Sequence, residues 1–182
     1  MVDFHSLITN RRSTRKFTDE PLKAEQVGTI LRAALMSPSS KGKEPWQFLL
    51  VEDKEMLRKL SLCKKSGSKP IEGCVLAVIV LADPLTSDVW IEDASVASIM
   101  MQLQAEDLGL GSCWIQIRER YTEEEVSSGD YIRDLFDIPM QLQVLSVVAL
   151  GNKAQVRPPV DEDKLRWEKV HIGKFNIDQL AE

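Results

Sequence analysis

Five consecutive residues, Arg11-Arg12-Ser13-Thr14-Arg15, place three guanidinium forks and two hydroxyls in one short stretch. A guanidinium pairs bidentately with phosphate and donates along the polar edge of a planar ring. Further along, Pro38-Ser39-Ser40-Lys41-Gly42-Lys43-Glu44-Pro45-Trp46 reads as a turn-rich loop that opens directly into an apolar run. Together the two blocks point to a phosphorylated, ring-bearing cofactor. Read alone, the arginine run is equally a solvated helix end whose cations favour the negative end of the helix dipole.

Other chemistry is thinly supplied. His5 and His171, near opposite ends of the chain, are the only histidines. A His-based metal cluster, or a Ser-His-Asp or Cys-His nucleophilic site, therefore lacks its usual parts. The cysteines Cys63, Cys74 and Cys113 are odd in number and include no Cys-x-x-Cys spacing. They indicate neither a disulfide framework nor a zinc site, and a reducing cytoplasm is the simplest compartment. Cys113, with no His or Cys beside it, reads as a small buried hydrophobe. No metal ligand and no catalytic side chain is assigned. The reaction is left to a cofactor.

Composition narrows the class further. A length of 182 residues favours one domain spanning 1–182, with 43% hydrophobic and 28% charged residues as in ordinary globular proteins. A net charge of −5 and a pI near 5.2 argue against a nucleic-acid module. Met1 to His5 carries no signal-peptide pattern, and the longest apolar run, Val75 to Ala82, is too short to span a bilayer.

The elements that must position these blocks follow from periodicity and punctuation. Asp3 is placed to cap a short helix with Phe4, Leu7 and Ile8 on one face, ending near Asn10 and delivering the arginine block. Lys23 to Met36 reads as a helix stopped by Pro38. Gln47 to Glu52 reads as a strand, and Asp53 to Cys63 as a helix. Lys64 to Gly73, rich in Lys, Ser and Gly, reads as a mobile loop. Cys74 to Ala82 has the pattern of a central strand buried on both faces. Ile91 to Leu108 is apolar over most of a helical circumference, which requires deep burial or an interface. Ser112 to Ile117 forms another apolar segment. Thr122-Glu123-Glu124-Glu125 is a capping box that predicts a helix from about Glu123, and Leu142 to Leu150 is the last strand. Residues 152–182 form an extended arm in which Trp167, Val170, Ile172, Phe175, Ile177 and Leu180 are apolar anchors. They suit wrapping around a partner, the alternative being a tail folded back on its own domain.

Leu108-Gly109-Leu110-Gly111-Ser112-Cys113-Trp114 begins like a dinucleotide fingerprint. It fails as one, because Trp114 holds the third glycine position and the segment runs from helix to strand. Its glycines serve as a helix stop in any reading. Trp46 reads as a core residue.

In order and spacing these blocks resemble the FMN-dependent nitroreductase family. Arg11, Arg12, Ser13 and Arg15 match its first motif, and Pro38, Ser39, Ser40, Pro45 and Trp46 its second. Gly42 stands where that family usually has Asn, and Glu44 where it has Gln. The resemblance implies an α+β fold: a three-layer α/β/α arrangement with a central mixed, mainly antiparallel sheet and an extended C-terminal arm. It further implies a homodimer with FMN at the subunit interface and NADH or NADPH as reductant. On it, Arg11 and Lys164 bind phosphate, with Arg157 and Arg166 as rival candidates. Arg12, Ser13 and Arg15 hold the phosphate, ribityl chain or pyrimidine edge. Pro38, Ser39 and Ser40 shape the loop beside the ring. Ile115 and Gln116 bring backbone N–H groups near the reactive flavin nitrogen, and Glu44 tunes the ring if it faces it. The implied activity is ping-pong reduction of a small electrophile such as a nitroaromatic or quinone. A flavin carrier or sensor, and a specialised dehalogenating or flavin-fragmenting enzyme, are the alternatives. The acceptor and the preferred nicotinamide are not encoded in any motif of the sequence.

Overall fold

The computed structural model describes residues 3–175, so Ile177 and Leu180 of the expected arm lie outside it. Asp3 caps α1 (Phe4–Asn10), its carboxylate accepting from the Ser6 N–H at 2.9 Å. α2 (Ala24–Leu35) turns Ile30, Ala33 and Ala34 inward. Then come β1 (Trp46–Val51), α3 (Lys54–Ser61), α4 (Lys69–Glu72) and β2 (Leu76–Ala82). The long helix α5 (Trp90–Asp107), β3 (Gly111–Gln116), α6 (Ser128–Leu135) and β4 (Gln143–Gly151) complete the domain.

The strands lie in the order β1-β2-β4-β3, and each neighbouring pair is antiparallel. The sheet is therefore antiparallel rather than mixed. β2 and β3 do run the same way, but β4 slots between them and makes two antiparallel pairs. A single parallel bridge joins Ser13 to Ser112. Successive residues of β2 face opposite sides. Leu76, Val78 and Val80 pack with α2 and α5, whereas Ala77, Ile79 and Leu81 pack toward α3, α4 and α6. Every residue of β2 is buried, as its unbroken apolar run requires. The result is α+β with helices on both faces of one sheet.

Two local expectations are corrected. The segment 64–73 is not all loop, because Pro70 and Ile71 of α4 are buried and the Ser68 hydroxyl donates to the Ser61 carbonyl at 2.6 Å. The helix expected from Glu123 begins only at Ser128, capped by Ser127. Thr122 instead closes a turn: its N–H donates to the Val126 carbonyl at 2.8 Å, and its hydroxyl accepts from the Val126 N–H at 3.2 Å. A bridge between Tyr121 and Ser127 folds the chain back before a helix can start.

The arm divides into two stretches. Its first part runs back along the chain's own N-terminal segment through hydrogen bonds from Thr18 to Asn152, Ala154 to Lys16 and Val160 to Thr9. Beyond His5–Glu162, at 3.0 Å, it leaves that support. There Trp167 is 70% and Ile172 95% exposed, so these two anchors are left largely uncovered by the described residues.

Candidate functional site

The arginine block is held on the sheet by two glycines. The Thr14 N–H donates to the Ser112 carbonyl at 2.8 Å, docking the block on the open edge of β3. A Cβ on Gly111 would sit 2.7 Å from Thr14 Cγ2, and one on Gly151 would sit 3.0 Å from Phe17 Cδ1. Gly111 and Gly151 are partners across β3 and β4. Residues 14 to 17 thus cross the end of the sheet over a paired gap where no side chains stand. Gly109, at φ 75°, makes the helix stop that the sequence suggested.

Alternate residues of the block do different work, as an extended segment dictates. Arg12 donates to the carbonyls of Pro158 and Pro159 at 2.8 and 3.2 Å, fastening the arm. Thr14 is buried on Gly111. The side chains of Arg11, Ser13 and Arg15 have no hydrogen-bond or ion-pair partner among the described residues. They are the three left available to a ligand.

β3 supplies the adjoining wall. The Ser112 carbonyl faces Thr14 and the Gln116 carbonyl accepts from Lys64 Nζ at 3.3 Å, so the even-numbered peptides point outward. Gln116 therefore presents its N–H at the open edge, whereas Ile115 turns its peptide toward β4 and its side chain into the core. The Gln116 side chain is held by Trp114 Nε1 at 3.0 Å and by the Arg118 carbonyl at 3.1 Å. Lys64, which the sequence reading placed in a mobile loop, joins the site through its contact with Gln116. Only its place beside Cys63 in a basic run hinted at it. Burial holds its ammonium below the ordinary lysine range, and the nearby Arg120 adds to that effect. Burial also pushes the Cys113 thiol up, against the opposing pull of Arg15 and Lys64. Cys113 is thus a neutral core thiol.

The second block is shaped by a residue the sequence did not single out. Asp93 of α5, 5% exposed, accepts from the Ser40 N–H at 2.7 Å and from the Ser87 hydroxyl at 2.8 Å. The Ser39 hydroxyl accepts from the Glu44 N–H at 3.0 Å. Lys41, Gly42 and Glu44 all have positive φ, at 53°, 62° and 47°. Gly and Asn are the residues that adopt this conformation most readily, so Gly42 holds it without strain. Pro38 and Glu44 are exposed, and Trp46 is buried.

The two blocks do not meet within one chain. Asp93 lies near the start of α5 and Gly111 just past its end, so roughly 20 Å of helix separates them at about 1.5 Å per residue. Lys164 stands apart as well, 81% exposed and paired with Asp161 at 2.8 Å on the arm. Arg166 likewise pairs with Glu168 at 3.3 Å. Arg157 instead lines a cleft of about 430 Å³ with Arg12 and Asn10.

Comparison with known proteins places this arrangement. A model described as the nitroreductase family matches residues 8–74. The solved structure of an FMN-dependent nitroreductase from Clostridium difficile R20291 superimposes with a TM-score of 0.91 at 40% identity, covering 93% of this chain and 98% of that one. A relative from Archaeoglobus fulgidus, provisionally named NADH dehydrogenase/NAD(P)H nitroreductase, is 33% identical over 180 residues, 96% of this chain and 100% of its own. An FMN reductase [NAD(P)H] from Bacillus subtilis is 24% identical over 199 residues, 96% of this chain and 75% of its own.

Proposed function

The chain belongs to the nitroreductase family, and from that premise we propose that it reduces a small electrophile, a nitroaromatic or a quinone, using FMN and NADH or NADPH. The observation that carries this reading is the uncommitted face of the arginine block, Arg11, Ser13 and Arg15, docked at Ser112 on the same open edge of β3 that carries the outward peptide of Gln116. That donor set fits the cofactor. Guanidinium suits phosphate and the pyrimidine carbonyls, hydroxyl suits the ribityl chain, and an outward N–H suits a ring nitrogen.

When bound, FMN supplies the hydride-transfer chemistry. The chain's own part is to bind, orient and bias charge. Arg11 would hold the phosphate and Arg15 would set a fixed positive charge toward the ring, where a preorganised cation is most effective. Gln116 positions its N–H from a strand whose other side is locked to β4. Ser39 and Ser40 belong to the second half of the site, which Asp93 keeps in shape.

The reading includes a cytoplasmic homodimer with its site shared between subunits. The separation of the two blocks along α5 supports it, since one chain alone cannot close them around a single ring. So do the exposed apolar residues of the arm, Trp167, Val170, Ile172 and Phe175. No helix among the described residues is long and apolar enough to cross a membrane.

The test is the visible spectrum of the purified protein before and after anaerobic addition of NADH or NADPH. A flavin band that bleaches, then returns with a nitroaromatic or quinone, is the expected result. Parallel double-reciprocal lines would mark the ping-pong course. A bound flavin that neither nicotinamide reduces would reject the enzyme reading in favour of a carrier.

A further inference from the structure

Beside the open edge of β3 lies a second cluster of cations that the reading above leaves unused. A cavity of about 230 Å³ is lined by Lys64, Lys65, Ser66, Glu119, Arg120 and Tyr121. The two loops that form it are stitched by the Lys65 N–H donating to the Tyr121 carbonyl at 3.1 Å. The Arg120 peptide is fixed on both sides, its N–H to Ile117 at 3.0 Å and its carbonyl from Ser128 at 2.8 Å. Glu119, with φ 59°, sets the bend.

Charge accounting singles out two residues. Lys65 pairs with Glu125, and the Glu119 carboxylate with Arg118 at 2.6 Å. Lys64 Nζ reaches only the Gln116 carbonyl, and the Arg120 guanidinium only the Glu119 carbonyl, at 2.7 Å. Two cations thus stand near one another, each bonded to a neutral oxygen and neither paired with a carboxylate among the described residues. Burial is the main cause that holds the Lys64 ammonium low, and the like charge of Arg120 adds to it. An anion between them would relieve this repulsion, and the Ser66 hydroxyl is at hand as a further donor.

We propose that Lys64 and Arg120 form an anion subsite for the substrates of the redox reaction, taking a phosphate or carboxylate group. The subsite deepens the proposed function and rests on it for its purpose. Lys64 touches the same Gln116 peptide that borders the ring, so a substrate seated there directs its anionic group away from the reacting edge. Its source is either the pyrophosphate of the nicotinamide or a carboxylate on the acceptor.

The direct test is calorimetric titration of the FMN-loaded protein with inorganic pyrophosphate, for wild type, Arg120→Gln and Arg120→Lys. Binding weakened at least ten-fold in R120Q and restored in R120K is expected. Absence of binding, or equal binding in all three, overturns the proposal. KM values assign the source. A rise shared by NADH and NADPH points to the pyrophosphate of the reductant, and a rise for 4-nitrobenzoate but not nitrobenzene points to the acceptor. Pyrophosphate binding with every KM unchanged would mean an adventitious ion and also overturn it, as would lost FMN affinity in R120Q. If wild type turns over no nicotinamide, the functional reading fails, while the titration still decides whether the anion site exists.

Discussion

Asp93 is the residue on which the shape of the second block turns, and its removal gives the sharpest test of that claim. Its two oxygens accept two hydrogen bonds in a nearly dry setting, from the Ser40 N–H and the Ser87 hydroxyl. Hydrogen bonds to a charged acceptor contribute about 1.5–3 kcal/mol each, and an orphaned buried donor adds a penalty. Asp93→Ala is therefore expected to cost about 3–6 kcal/mol of stability. Asp93→Asn should cost about 1 kcal/mol, because the amide oxygen still accepts from Ser40 and the amide N–H can donate to Ser87 Oγ. Urea unfolding at neutral pH would give both values. Limited proteolysis would report cleavage within residues 38–45, and flavin fluorescence would report FMN affinity. We expect D93A to open the loop to protease and weaken FMN at least ten-fold. Equal losses in D93A and D93N would show that net charge, not the hydrogen-bond pair, is what matters. A destabilised D93A that binds FMN as tightly as wild type would remove this loop from the site.

Gly111→Ala should cost about 1–3 kcal/mol and weaken FMN, since the new methyl would press on the buried Thr14, its Cβ included; Thr14→Gly in the same background should restore part of the loss, and no rescue would refute the close-approach argument. If Glu44 faces the ring, Glu44→Gln should raise the flavin midpoint potential by removing a negative charge, and an unchanged potential would show that the carboxylate faces solvent. Burial pushes the thiols of Cys63 and Cys74 up to about 12 from 9.0. Folding then favours their neutral form, so their contribution is complete below pH 9 and is lost as pH rises toward 12. Each thiol withdraws about 1.4 kcal/mol per pH unit in that window. Urea midpoints measured from pH 8 to pH 11 should fall, and less steeply in Cys63→Ala; identical slopes would refute the assignment.

Much of the fold was legible because its signals are local. The β2 run, apolar at every position, could only be a strand covered on both sides, and Asp3 and Asp53 announce helix starts by their own side chains. The arginine block was legible as chemistry for the same reason: residue type and order sufficed. What stayed hidden depends on contacts between distant residues. Nothing near Asp93 in sequence says that its carboxylate will hold Ser40. Nothing near Gly111 says that Thr14 will cross it. Thr122 misled because its hydroxyl serves a turn as readily as a cap, and the Tyr121–Ser127 bridge, a pairing across the turn, decided between them. The mainly antiparallel sheet holds and only its mixed character does not, since strand order is fixed by where β4 inserts and not by the pattern of any one strand.

The period-two division of the arginine block makes a prediction that separates anchoring from ligand binding. Arg12 gives its guanidinium to two arm carbonyls, while those of Arg11 and Arg15, on the alternate positions, bond to nothing among the described residues. Arg12→Ala should release the arm at a cost of about 1 kcal/mol, the bonds being partly solvated. Hydrogen exchange should quicken at Ala154 and Val160, whose N–H groups bond to Lys16 and Thr9. FMN affinity should fall only as far as the arm contributes to it. Arg11→Ala and Arg15→Ala should do the reverse, leaving exchange along the arm intact and weakening FMN by ten-fold or more. If all three variants lose FMN equally with the arm still protected, Arg12 leaves the arm when the cofactor binds. The alternation would then describe only the ligand-free chain. If R12A alone loses the arm, one five-residue stretch both binds the cofactor and fastens the C-terminal segment expected to reach a second subunit.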